Sequence, residues 1–75
     1  MKLRFTHHAQ AGMFARKITA SHITETIRRP AHMKEAKDGA VAYVRSFGSK
    51  KLQVIARQTG FKGEGEYVII TAYYL

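Results

Sequence analysis

Three side chains in the second half of the sequence have the types that phosphate chemistry uses: Arg45, Arg57 and Tyr73. The planar fork of an arginine can hold two phosphate oxygens at once. A tyrosine can stack on a base or trade a proton, although its reference pKa near 10 must fall before it is a good base. Cleavage of RNA through its own 2′-hydroxyl needs charge at the scissile phosphate and proton transfer at two oxygens. Strand alternation is expected to set Tyr43, Arg45, Arg57 and Tyr73 on one open sheet face, with Lys50 and Lys51 at a hairpin turn beside it. The same set also describes an ordinary sheet face in contact with water.

Histidines come next. His7 and His8 stand where a helix is expected to start, and an imidazole there is a candidate general acid or base. The helix dipole would favour its neutral form. The structural alternative is that His8 packs against the sheet and fixes the start of the helix. A metal site is not expected, because His7, His8, His22 and His32 lack zinc-motif spacing and there is no cysteine or nearby carboxylate cluster. Gly60, Gly63 and Gly65 lie between two expected strands, with no helix to receive a phosphate, so no nucleotide loop or other cofactor site is expected. A set of cations and rings, Lys50, Lys51, Arg57 and Lys62 with Tyr43, Phe61 and Tyr67, suits RNA: phosphates pair with the charges and bases stack on the rings. Arg16 adds a further cation for RNA from the first helix.

Overall charge points the same way. Thirteen lysines and arginines face five acids, a formal charge of +8, and so strong a field on one small domain favours polyanions such as nucleic acid or ribosomes, or an acidic protein segment. The 75 residues make a single domain, residues 1–75, with a small core. Without cysteine there is no disulfide framework, which fits a reducing cytoplasm. The first five residues lack the apolar run of a signal peptide, and no stretch approaches the roughly 20 apolar residues of a membrane span.

These residues must be positioned by two kinds of element. Leu3 and Phe5 alternate with Lys2, Arg4 and Thr6, which predicts a short N-terminal strand. Thr6 is a candidate cap for a helix whose apolar stripe is read as Ala11, Phe14, Ala15 and Ile18. Gly12 weakens that helix. Thr19 or Ser21 caps a second helix that buries Ala20, Ile23 and Ile27 and stops at Pro30. The rest is strands: an edge strand at residues 32–37, then 40–47, 52–58 and 67–75, with Asp38-Gly39 as a hairpin signal. Helices early and strands late predict an α+β fold, with a short N-terminal strand and two helices packed on one face of an antiparallel sheet meander.

Thr6-x-His8-Ala9, Arg16-x-Ile18-Thr19, and Ile23 and Ile27 before Pro30 resemble a bacterial and phage family known as a domain of unknown function. The final strand, Val68–Tyr73, is similar to that family's closing "V-I-T-x-Y" step. The likeness spans nearly the whole chain through short motifs. The family looks related to the RelE/ParE toxin fold, two helices on a four-stranded antiparallel sheet. The resemblance implies one of two activities, cleavage of messenger RNA in the ribosome or poisoning of gyrase; other relatives have no assigned activity. It also implies an acidic antitoxin segment as partner. By resemblance Arg45, Arg57 and Tyr73 sit roughly where ribosome-dependent nucleases of this fold place such groups, and His8 is a family-like position. One departure is Gly12, where the family usually carries an arginine.

The leading expectation is therefore a toxin-like endoribonuclease acting on ribosome-associated message. Arg45 and Arg57 would hold the phosphate, and Tyr73 or His8 would handle protons or stacking. A non-catalytic module that binds nucleic acid or protein is the alternative, and a topoisomerase poison is a third reading. An apolar set on the open face would instead mark a homodimer interface.

Overall fold

A computed structural model describes residues 1–59 and 65–75; Phe61, Lys62 and the glycines at 60 and 63 lie outside the described residues. In chain order the elements are β1 (Lys2–Phe5), α1 (His7–Arg16), α2 (Ala20–Arg28), β2 (His32–Glu35), β3 (Val41–Phe47), β4 (Lys50–Thr59) and β5 (Glu66–Tyr74). The strands form one sheet in the order β1-β5-β4-β3-β2. From β2 to β5 it is the expected antiparallel meander. Strand β1 adds itself alongside β5 in parallel, so the five-stranded sheet is mixed. The chain reaches that arrangement by crossing from one sheet edge to the other through the helical pair. Helix α1 lies over β5 and β1, and α2 lies over β3 and β4.

Both helices begin on a threonine. The Thr6 hydroxyl accepts from the Ala9 amide at 3.0 Å, and the Thr19 hydroxyl accepts from the His22 amide at 3.1 Å. Each satisfies one of the amides that a helix start leaves without a partner. Thr6 does more. Its hydroxyl donates to the Ile70 carbonyl at 3.1 Å and its amide donates to the Ile69 carbonyl at 3.1 Å. Ile70 is the extra residue of a β-bulge: Ile55 pairs with Thr71, whereas Ala56 pairs with Ile69. The cap thus ties the start of α1 to the kink in β5.

Two expected stripes are corrected. Helix α1 buries Ala9 and Gly12 with Met13 partly covered, whereas Ala11, Phe14 and Ala15 are exposed; Ile18 is buried only because it follows the helix. The apolar residues of α1 lie on two sides, and the sheet can cover only one of them. In α2 the buried residues are Ile23, Thr26 and Ile27, and Ala20 is exposed. Thr26 is tolerated there because its hydroxyl donates to the His22 carbonyl at 2.8 Å. The core joins these residues to Tyr43, Leu52, Val54, Ala56, Ile69 and Ala72. At the turn before β3, Asp38 (φ 57°) and Gly39 (φ 78°) both take positive φ, as the Asp-Gly signal requires.

Candidate nucleic-acid interface

Directly paired residues on neighbouring strands share a face, so the register fixes what each side of the sheet presents. On the helix side Tyr43 pairs with Val54, Arg45 with Leu52, and Phe47 with Lys50. The other side lies opposite the helices. One row across it runs His32, Val44, Gln53, Tyr73; the next runs Lys34, Ala42, Ile55, Thr71; a third holds Arg57, Val68 and Arg4. Lys51 closes one end, where its carbonyl accepts from the Leu75 amide at 2.8 Å.

The expected open-face quartet is therefore divided. Tyr73 and Arg57 do lie on the open face. Arg45 and Tyr43 do not, because β3 turns its odd-numbered positions toward the helices. The Arg45 Nη1 donates to the Arg29 carbonyl at 2.7 Å, and its Nη2 lies 3.9 Å from Glu25 Oε2. Arg29 is the C-cap of α2, so Arg45 serves the carbonyl end of that helix, where a cation is favoured. Tyr43 is buried edge-on to Tyr67 at 6.3 Å, and burial, then the neighbouring Tyr67, pushes its pKa above 10.0. A phenol held neutral inside the core neither stacks on a base nor accepts a proton from one.

The remaining candidates also part company. Lys50 belongs to the helix side, with its Nζ 5.0 Å from the Tyr74 ring, while the adjacent Lys51 belongs to the open side. His8 and Arg16 are exposed on α1, on the far side of the sheet from Tyr73. Gly12 is buried, and a Cβ built there would stand 2.6 Å from Arg16 Nη1. The Arg16 guanidinium has folded back across the glycine, into the space that a side chain at this position would take. That guanidinium is the end of a flexible arm and can move. Gly12→Ala is therefore expected to stabilise the fold by about 0.5–1 kcal/mol, read as a raised thermal midpoint.

What the open face assembles instead is a groove of about 360 Å³ lined by His32, Lys34, Val44, Lys51, Gln53 and Leu75, among others. That volume sits at the small end of ligand sites, which run from roughly 300 to 1,000 Å³. Beside it the Gln53 amide donates to the Tyr73 hydroxyl at 2.6 Å, which fixes the phenol at the groove's edge. Arg57 lies four positions further along β4, about 13 Å at the rise of an extended strand. Its Nη2 donates to the Asp38 carbonyl at 2.8 Å, so it rims the face rather than sharing a centre with Tyr73. His32, Lys34 and Gln53 were not among the expected site residues. The signal was present for two of them: His32 and Lys34 are spaced by two in an edge strand, which puts both on one face. Among the described residues no cluster of side chains could hold a metal ion.

Comparison of the chain with protein-family models, curated proteins and solved structures finds no match. No helix among the described residues is long and apolar enough to cross a membrane.

Proposed function

We propose that the protein binds RNA on the open face of its sheet, as a toxin-like relative of the RelE/ParE-fold ribonucleases, and that the groove beside Tyr73 is where it cuts ribosome-associated message. The groove carries this reading. It gathers Lys34 and Lys51 as phosphate partners and the His32 imidazole around an apolar floor of Ala42 and Val44, with the Tyr73 phenol outside its lining, one strand beyond Gln53. A nucleotide seated there would stack its base on the floor and present its phosphate to the lysines. His32 would take the 2′-hydroxyl proton and a lysine ammonium of the groove would donate toward the leaving oxygen, while Tyr73, held by Gln53 three strand spacings (about 14 Å) from His32, would stack on a flanking base. Lys2, Arg4 and Arg57 extend the positive rim along the face for flanking phosphates. A strand, two helices and then an antiparallel run is also the element order that the resemblance implies.

A second reading, RNA binding without cleavage, is favoured by one observation. Arg45 is committed to α2 and Arg57 is set back from Tyr73, so no arginine stands at the groove's centre. The two readings separate in a translating cell extract, with 5′ ends of the message mapped for wild type, His32→Ala and Lys51→Ala. Cleavage by the wild type that falls about 100-fold or more in His32→Ala, with the fold intact, is the expected result. Intact message from wild-type protein that still binds RNA leaves the binding module. Intact message together with inhibited DNA supercoiling points instead to a topoisomerase poison.

A further inference from the structure

Among the described residues the two outer strands of the sheet, β1 and β2, each have one unpaired edge. They differ in charge. Strand β1 carries Lys2 and Arg4 and no carboxylate, so two copies meeting there would bring like charges together. Strand β2 reads His32-Met33-Lys34-Glu35, and all four residues are exposed. Met33 pairs with Tyr43 and so faces the helix side, yet it stays 59% exposed because α2 lies over β3 and β4. The Ala36 amide donates to the Ala40 carbonyl at 2.8 Å, in step with the β2–β3 register. Antiparallel ladders alternate, so His32 and Lys34 also turn their backbone groups toward β3, while Met33 and Glu35 turn theirs to the free edge.

We propose that β2 pairs antiparallel with β2 of a second copy, about a twofold axis at Met33. A twofold normal to the sheet keeps both helical layers on one side and admits only pairings centred on a residue. Centring on Lys34 would oppose two ammonium groups, and centring on Glu35 two carboxylates. Centring on His32 would set Lys34 against Pro30, outside the strand. Centring on Met33 exchanges both of its N–H and C=O groups with the second copy and packs the two thioethers together. It also sets each Glu35 opposite the other copy's Ala31, two residues from Arg29. Arg29 is exposed there and shares one carboxylate with Arg45: Glu25 Oε2, at 4.0 and 3.9 Å. A second carboxylate is favoured beside that pair of arginines. On the open side His32 meets the second copy's Lys34, so the two grooves, each walled by β2, join in one trough. The cations gathered there weaken a dimer already limited by a short strand, and a polyanion offsets them. That last consequence rests on the RNA reading; the pairing itself does not.

The chain has no cysteine, so one introduced thiol reports one contact. Met33→Cys, Lys34→Cys and Phe14→Cys would each be held with oxidised glutathione, which takes up two electrons as two thiols join. Paired residues at the axis stand about 5.5 Å apart between Cα atoms, within disulfide reach, whereas the Lys34 mates lie on a diagonal of roughly 7–8 Å. Phe14, 90% exposed on α1, reports random collision. Met33→Cys is expected to cross-link about tenfold faster than the other two, and severalfold slower once Glu35→Arg is added. Wild type should sediment as a monomer passing reversibly to a dimer and no further. Circular dichroism checks each fold. Equal rates at the three positions, fastest cross-linking in Lys34→Cys, no effect of Glu35→Arg, or growth beyond a dimer would each overturn the pairing. Single-stranded RNA should speed the Met33→Cys reaction further. A rate that RNA leaves unchanged, with the cross-link otherwise as expected, supports the pairing and counts against the RNA reading alone.

Discussion

The two faces of the sheet come from the same strands, and neighbouring residues on them meet opposite fates. Lys50 and Lys51 are consecutive, yet one lies against Tyr74 on the helix side and the other lines the open groove. Tyr43 and Tyr73 are both strand tyrosines, yet one is sealed against Tyr67 and the other is held by Gln53 at a water-facing edge. Arg45 and Arg57 make the same point with charge: each donates to a backbone carbonyl, but Arg45 braces α2 and Arg57 braces the Asp38 turn at the rim of the open face. The lesson is that residue type alone does not mark a functional group. Which side of the pleat it occupies decides whether it packs under the helices or stays open to solvent.

Substitutions can break this comparison, and the largest effect should come from the covered side. Ile23→Ala removes a fully buried side chain of α2 and should cost about 2–5 kcal/mol in urea unfolding. In a domain this small that approaches the whole margin of stability. Arg45→Met keeps the apolar stem but removes the bond to the Arg29 carbonyl. A loss of about 1 kcal/mol is expected, with RNA affinity unchanged under conditions where the variant is folded. A specific fall in RNA affinity would return Arg45 to the site.

Tyr43 gives the covered face a pH signature. Its folded pKa is raised, so folding favours the neutral phenol. The stability it contributes is complete below the unfolded value near 10 and is lost as pH climbs through the higher folded value. Tyr43→Phe should flatten the alkaline limb of a stability profile measured by denaturant titration from pH 8 upward, whereas Tyr73→Phe should leave that component in place. The smallest stability effect belongs to the open face. Lys51→Ala should shift unfolding by no more than about 0.5 kcal/mol. It should nonetheless lower the slope of log affinity against log salt for single-stranded RNA by about 1. A Lys51→Ala variant with an unchanged slope would remove this lysine from the interface.

Much of the architecture was legible in the sequence because it rests on local rules. Thr6 and Thr19 announce helix starts through cap chemistry, Asp38-Gly39 announces a turn through positive φ, and the alternation in β3 and β4 sorts their residues into two sets correctly. The sequence by itself also determined the charge excess that favours a polyanionic partner. It could not say which set meets the helices. In β3 both sets contain apolar residues, and Arg45 and Tyr43 look as suited to water as Val44 looks to a core. Only the packing of α2 against β3 and β4 settled that choice. The bulge at Ile70 reversed the alternation inside β5, bringing Tyr67, Ile69, Ala72 and Tyr74 to the helix side although a strict period of two would separate them. Tertiary structure likewise chose the inner side of α1. The stripe through Phe14 carries more apolar surface, but a glycine and an alanine let the helix approach the sheet closely, and Thr6 tied to the β5 bulge holds that side inward.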